Sequence, residues 1–427
     1  MIIVGILVAF FVLLFAGIPI AFAMGIVTCG VMLFNGISLE VMVQRMFAGA
    51  NSFSLLALPL FILAGNIMGE GGLTRRLIRL ANAIVGRFHG GMAMTSVAAC
   101  ALFGAVSGST AATSYAIGGV TVPEMKRQKY PNSFIASIIG PSGVLGLIIP
   151  PSITMVILGV TTGISIGDLF IAGFIPGICL AAMLCVYCCL ISKKEGFGMV
   201  NKEKLSLSEF GKIALDAFFP LMTPVVILGG IFSGLMTATE AAVAAVFYGL
   251  ILSMFYRELT FERLKKICME TASSSATVLI VIAVCNGFSY VLTMLKIPAM
   301  ISEFFLQYAS SPTMFLLIVS GILLILGCLT EVTSLIILLG PIFMPIAMDF
   351  NLDPTHFGMV LIMNFALANV TPPVGLSTIV GCAIVDKKMG IEQAFPYVAH
   401  VMLIIAAMAL IIIFVPQIST FLPNLMG

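Results

Sequence analysis

Tryptophan is absent and charge is scarce, with only 9% of the 427 residues being Asp, Glu, Lys or Arg. A soluble domain carries about a quarter charged residues, so a soluble fold is excluded. Twenty basic against eighteen acidic side chains leave a net charge of +2, which excludes nucleic-acid binding by bulk charge. No GxxxxGKS or GxxxxGKT loop occurs, so the chain is not powered directly by ATP. The ten cysteines form no framework: Cys100, Cys179, Cys185, Cys188, Cys189, Cys285 and Cys328 sit in apolar stretches, where cysteine acts as a small apolar residue. Cys185-Val-Tyr-Cys188-Cys189 offers no histidine or carboxylate in its segment to complete a metal site. What is plentiful is apolar: 60% of the chain, with a mean hydropathy of +1.19. Forty-one glycines and twenty prolines describe helices that are often interrupted. The fold class is an all-α polytopic membrane protein.

A crossing helix needs about 20 mainly apolar residues. The stretch 1–34 is too long for one crossing, and Gly17-Ile18-Pro19 divides it into two helices. It lacks a basic n-region and a second apolar segment follows directly, so it is not a cleaved signal peptide. Further apolar segments run from 54–69 to 398–421. Four of them, 91–106 with 110–122 and 312–328 with 333–348, form close pairs that meet at tight polar breaks. These read as two re-entrant hairpins, 91–122 and 312–348, tolerated where buried in protein or lining a watery cavity. The segments 132–164 and 356–385 each read as one broken crossing. With that layout all basic residues except Arg45 and Lys296, Lys202 and Lys204 among them, fall on one face. That face is expected to be cytoplasmic, with both termini outside. The polar stretch Lys193 to Lys212 is the boundary between the halves.

The halves match at a nearly constant offset. Tyr130-Pro131-Asn132-Ser133-Phe134 answers Asp353-Pro354-Thr355-His356-Phe357, Gly104 and Ser107 answer Gly327 and Thr330, and Pro150-Pro151 and Gly159 answer Pro372-Pro373 and Gly381. An inverted structural repeat with two broken helices is the pattern of a secondary transporter with its site near mid-membrane.

The breaks carry the chemistry. At the first tip, Ser107-Gly108-Ser109, an unwound backbone frees carbonyls, and with the Ser107 and Ser109 hydroxyls these are hard oxygen ligands for a small cation. Pro150-Pro151 removes two amide donors, so the carbonyls of Gly146 and Leu147 lose their helical partners. The second half offers Gly327-Cys328-Leu329-Thr330-Glu331 as a tip and Ala368-Asn369-Val370-Thr371-Pro372-Pro373-Val374-Gly375 as a break. Glu331 is the one carboxylate expected at membrane depth, a candidate for charge balance or proton carriage, with Thr330 beside it. The alternative role for Glu331 is a helix cap.

The stretch Gly65-Asn66-Ile67-Met68-Gly69-Glu70-Gly71-Gly72-Leu73-Thr74-Arg75-Arg76-Leu77, the Ser-Gly-Ser tip, GLIIPPS at 146–152, GLMTATEAA at 234–242 and TPPVG at 371–375 together resemble the large membrane subunit of tripartite ATP-independent periplasmic (TRAP) transporters, of the dicarboxylate and sialic acid type. The resemblance covers essentially the whole chain. It implies a sodium-driven importer of small organic anions in the bacterial inner membrane. Its partners would be a small TRAP membrane subunit and a periplasmic substrate-binding protein that delivers the anion. It implies an elevator-type transporter, with scaffold helices over 1–53 and, after a connector, within 193–271, and repeats over 54–192 and 272–427. One family sodium site maps onto Ser107, Ser109, Gly146, Ile149 and Pro151, and a second onto Gly327, Ala368, Thr371 and Val374. Ala368 and Val374 depart from residues often seen there, as does Thr-Ala-Thr at 237–239 from the common Thr-Pro-Thr.

Two other readings compete. Gly140-Pro141-Ser142-Gly143 resembles the Gly-x-Ser-Gly of rhomboid intramembrane proteases, with His400 as base. Ser142, however, lies about ten residues into its helix, roughly 15 Å deeper than His400 at about 1.5 Å per residue. A standalone sodium/anion symporter with paired hairpins would share this composition, and partner dependence separates the two. No lysine or arginine is expected at mid-membrane to clamp a carboxylate, so hydroxyls, amides and helix N-termini are left to hold the anion.

Overall fold

Gly17, at φ 82°, and Pro19 divide the opening apolar run into the helices Ile2–Phe15 and Ile20–Phe34, as the sequence predicts. The computed structural model describes residues 2–70, 72–198, 206–309, 311–328 and 330–426. Gly71, Lys202, Lys204 and Leu329, used in the sequence reading, lie outside the described residues.

Among the described residues the regular structure is helical throughout. Seven helices are long and apolar enough to cross a membrane, or up to nine if each of two bent pairs counts as one span. One bent pair is Asn132–Ile148 with Ile153–Thr162, turned by 44° at the Pro150-Pro151 break. The chain is an all-α polytopic membrane protein.

Both expected hairpins are helix pairs with a short polar turn. The first joins Gly91–Ser107 to Thr110–Arg127, and the second joins Pro312–Gly327 to Val332–Asp349. Gly91–Ser107 has 17 residues, short of the about 20 a crossing needs. Val332–Asp349 differs: despite Pro341 and Pro345 inside it, it has the length and apolarity of a full span.

The broken helices form the interior. From Thr355 to Ala368 every residue of Pro354–Val370 is buried, and so is every residue from Phe134 to Ser142. A helix that is apolar all round is an interior helix. Pro354–Val370 continues past Pro372-Pro373 as Leu376–Val385. Asn132–Ser142 crosses that second segment, where Ser377 Oγ donates to the Gly140 carbonyl at 2.6 Å and Ser114 Oγ to the same oxygen at 3.1 Å.

Three helices lie outside the apolar segments read from the sequence: Leu39–Ala50, Leu73–Val85 and Ile297–Tyr308. Leu73–Val85 is amphipathic, burying Leu73, Leu77, Ile78 and Ala81 while carrying Arg75, Arg76 and Arg79. A window that averages hydropathy cannot find such a helix, because its two faces cancel. The segment 398–421 is also not continuous, because Pro416 separates Ile391–Phe414 from Gln417–Met426. At 237–240 the Thr-Ala-Thr-Glu sequence is a capping box. Glu240 accepts from the Thr237 amide at 2.7 Å, so the missing proline does not cost the helix its start.

Candidate functional site

At the first tip Gly108 takes φ 62°, a left-handed turn that favours glycine, and Ser109 is extended and caps the next helix. Ser107 Oγ shares a 2.8 Å hydrogen bond with Thr113 Oγ1, one turn into the second arm. Gly146 faces the same spot: a side chain there would meet Thr113 Oγ1 at 2.8 Å and the Ser109 carbonyl at 3.1 Å. Ser107, Ser109 and Gly146 therefore converge, joined by Thr113, which the sequence reading missed. Its only signal was a hydroxyl four residues after Ser109. The Gly108 carbonyl accepts from the Ile153 amide at 3.2 Å, and a side chain on Gly108 would meet the Pro151 carbonyl at 2.8 Å, which ties the tip to the break. The Ile149 amide donates to Leu145 O at 2.8 Å and its side chain packs against Gly177, so no contact joins Ile149 to this cluster among the described residues.

The second half repeats these contacts. Gly104 is pressed against Gly146, and Gly327 against Ala368. The Val374 amide donates to the Cys328 carbonyl at 3.1 Å, tying the second tip to its break. Each break also leaves one carbonyl that a hydroxyl from beyond the prolines satisfies. Ser152 Oγ donates to Leu147 O at 2.7 Å, and Thr378 Oγ1 to Val370 O at 2.9 Å. Thr371 Oγ1 donates to Leu367 O at 2.7 Å, which leaves its lone pairs available to a cation. Gly327, Ala368, Thr371 and Val374 thus gather as Ser107, Ser109, Gly146 and Pro151 do.

Between the two gatherings lies a cavity of about 190 Å³. Both tips and both breaks border it: Ser109 and Thr110, Thr154, Glu331 and Thr333, and Asn369 and Ser377. That volume suits a small ion and a few waters, at about 30 Å³ per water. Ser107 and Thr371 are not in its wall: Ser107 adjoins the lining residue Gly108, and Thr371 lies two residues from the lining residue Asn369.

Glu331 lines the cavity and caps Val332–Asp349, accepting from the amides of Thr333 at 3.0 Å and Ser334 at 3.1 Å. Thr330 is turned elsewhere. Its hydroxyl donates to Leu326 O at 3.1 Å, and it borders a separate apolar cavity of about 450 Å³. Asn369 is the unexpected member of the wall, with a buried Oδ1 that has no hydrogen-bond partner.

Residues 7–418 match the family described as "Tripartite ATP-independent periplasmic transporter, DctM component". The chain belongs to this TRAP family. It is 38% identical to the C4-dicarboxylate TRAP transporter large permease protein DctM of Pseudomonas aeruginosa, over 93% of this chain and 92% of that one. It is 34% identical to the sialic acid TRAP transporter large permease protein SiaM of Vibrio cholerae, over 97% and 96%. The 2,3-diketo-L-gulonate TRAP transporter large permease protein YiaN of Escherichia coli is 32% identical over 94% of each chain. In fold the chain is similar to the YdaH transporter of Alcanivorax borkumensis, with a TM-score of 0.54 at 13% identity over 88% of each chain.

TRAP permeases are transporters, not enzymes, and the protease reading falls with that membership. His400 Nδ1 sits 2.8 Å from Pro396 O of its own helix, and its ring stacks on Tyr187.

Proposed function

We propose that this TRAP permease is a sodium-coupled importer of small organic anions, of the C4-dicarboxylate, sialic acid or related-acid class its relatives are named for. The observation that carries it is the single cavity bordered by both tips and both breaks. Two oxygen-rich gatherings flank that cavity, one around Ser107, Ser109, Gly146, Ile149 and Pro151, the other around Gly327, Ala368, Thr371 and Val374. Each is a sodium site in this reading. The metal groups of softer cations need His, Cys or carboxylate ligands, whereas hydroxyls and freed carbonyls suit sodium.

Each cation crossing a potential of 100 mV releases about 2.3 kcal/mol. Two sodium ions with one monoanion carry net positive charge inward, so voltage adds to the sodium gradient. In the bacterial inner membrane the anion arrives from a periplasmic binding protein. The two halves, inverted relative to one another, carry the cavity across as an elevator against a scaffold braced by the small TRAP subunit. Contacts among the basic segments support one cytoplasmic face. Lys126 Nζ donates to Val385 O at 2.7 Å, Arg76 pairs with Asp216 at 3.1 Å, and Lys266 pairs with Glu70 at 3.4 Å.

Sodium-dependent uptake by the reconstituted three-part system, scanned over organic acids, tests the function. Uptake without sodium refutes the coupling. Full uptake by this chain alone makes it a standalone symporter.

A further inference from the structure

Leu73–Val85 stands between a full span, Phe53–Glu70, and the first hairpin arm, Gly91–Ser107. Its 13 residues reach about 20 Å, too short to cross a hydrocarbon layer of about 30 Å. Its apolar face, with Leu73, Leu77, Ile78 and Leu80, is buried, and the helix packs against Gly91–Ser107 and Leu207–Phe232. Arg76 fixes its level. The guanidinium is 3.1 Å from Asp216 and stacks 3.6 Å over the ring of Tyr256, just past the end of the span Ala238–Phe255. Lys212 is exposed one turn before Asp216, and the exposed side chains just after Asp216, Phe218 and Phe219, are apolar. The helix therefore lies where the protein surface passes from charged to apolar, at the headgroup level of a bilayer.

The outward face of this helix is basic and unmatched. Arg75 and Arg79 are exposed one turn apart on the same side, and Arg87 is exposed just beyond the helix end. None of these three, nor Lys212, has an ion pair among the described residues, whereas Arg76 is held by Asp216 and Glu258. The apolar side is not fully covered. Ile84, about 180° round the helix from Arg75 at about 100° per residue, is 50% exposed, and Phe88 beyond the helix end is 43% exposed. Unpaired arginines on one side of an interfacial helix and uncovered apolar groups on the other suit an acidic lipid, whose phosphate meets the charges while its chains meet the apolar groups. We propose that Arg75, Arg79 and Arg87 form a binding site for the headgroup of an anionic phospholipid, with Ile84 and Phe88 against its acyl chains. The site is built on the connection from a spanning helix to the first hairpin, and it stands independently of the sodium-coupling reading.

The test uses the purified chain with its small subunit in a neutral detergent. Thermal unfolding is titrated with phosphatidylglycerol, with phosphatidylcholine of the same acyl chains, and with inorganic phosphate. Phosphatidylglycerol is expected to raise the midpoint by several degrees, and by less at high salt, which screens an exposed face. Phosphatidylcholine is expected to raise it less, and inorganic phosphate not at all. Arg75→Gln combined with Arg79→Gln is expected to raise the phosphatidylglycerol needed for half the shift about tenfold. Lys193→Gln with Lys194→Gln, at the exposed basic end of Ile166–Glu195, is expected to leave the response unchanged. Equal responses to the two lipids, an arginine variant with the wild-type response, or the same loss in the lysine variant overturns the proposal. A response to phosphate alone as large as that to phosphatidylglycerol makes this a free-anion site and overturns it too. A phosphatidylglycerol response of the chain alone that vanishes with the small subunit present gives the face to an acidic surface of that subunit instead. The wild-type comparison of the two lipids, with and without the small subunit, decides if the arginine variant fails to fold.

Discussion

Gly327 and Ala368 touch so closely that a methyl group on Gly327 would fall 2.3 Å from the Ala368 methyl, well inside carbon contact distance. Gly104 stands in the same relation to Gly146, where its methyl would lie 2.7 Å from the Cα. Each hairpin is therefore held on its broken helix by a contact that admits no side chain on the hairpin glycine. Both contacts sit directly beneath the oxygen groups that would bind cations. Packing of the hairpin and geometry of the ligands are thus one variable.

The first prediction follows from that coupling. Gly327→Ala should lower the thermal midpoint by the equivalent of about 1–3 kcal/mol, the range for overpacked cores, and raise the sodium concentration for half-maximal stabilisation. Shaving the opposing methyl, in Gly327→Ala with Ala368→Gly, should restore both. Gly104→Ala meets backbone at Gly146, so no such rescue exists there. A Gly327→Ala protein with wild-type sodium response would disconnect the packing from the cation site.

Ser107 and Ser109 test the first site. Ser107→Ala removes the hydroxyl bonded to Thr113, and Ser109→Ala removes a cap as well as a candidate ligand. Each should raise the sodium half-saturation of uptake in proteoliposomes about tenfold, the effect of about 1.4 kcal/mol. Thr113→Val should do the same, since Thr113 Oγ1 faces Gly146 in the same cluster. Unchanged sodium activation in all three would remove this site from the mechanism.

The carbonyls at the breaks give a stability test. Ser152→Ala strands Leu147 O, and Thr378→Val strands Val370 O, both in buried surroundings. Leaving a buried acceptor unsatisfied costs about 1–3 kcal/mol. The two sites lie in different halves and share no partner, so the losses in unfolding free energy should add. A double variant no less stable than either single one would contradict independent breaks.

The positions of these breaks were legible in the sequence because glycine and consecutive prolines act on the backbone directly. Gly17-Ile18-Pro19, Ser107-Gly108-Ser109, Pro150-Pro151 and Pro372-Pro373 all interrupt helices where the residues say they should. Side-chain direction was not legible. Thr330 neighbours Glu331 in sequence, yet it faces the apolar cavity while Glu331 faces the polar one. Both residues lie in the break between helices, where Glu331 is extended and successive side chains point to opposite sides, so adjacency does not predict a shared site. Thr113 and the partnerless oxygen of Asn369 needed three-dimensional contacts to be seen. The amphipathic helix Leu73–Val85 escaped for the different reason that hydropathy averages erase a two-faced helix.

Membrane orientation can be read from single cysteines placed in a cysteine-free background. Lys194 is exposed at the end of Ile166–Glu195, and Ser311 is exposed where Pro312–Gly327 begins. Glu195 accepts from the Tyr397 hydroxyl at 2.6 Å, so the Lys193–Lys194 end meets the start of the last long helix. The native Cys268 is exposed two residues beyond Lys266, whose pairing with Glu70 anchors that segment. If the basic segments share the cytoplasmic face, Lys194→Cys and a reinstated Cys268 resist a membrane-impermeant maleimide in intact cells, whereas Ser311→Cys reacts. Labelling of Lys194→Cys together with Ser311→Cys would place an even number of crossings between them, and the second half could then not be inverted relative to the first.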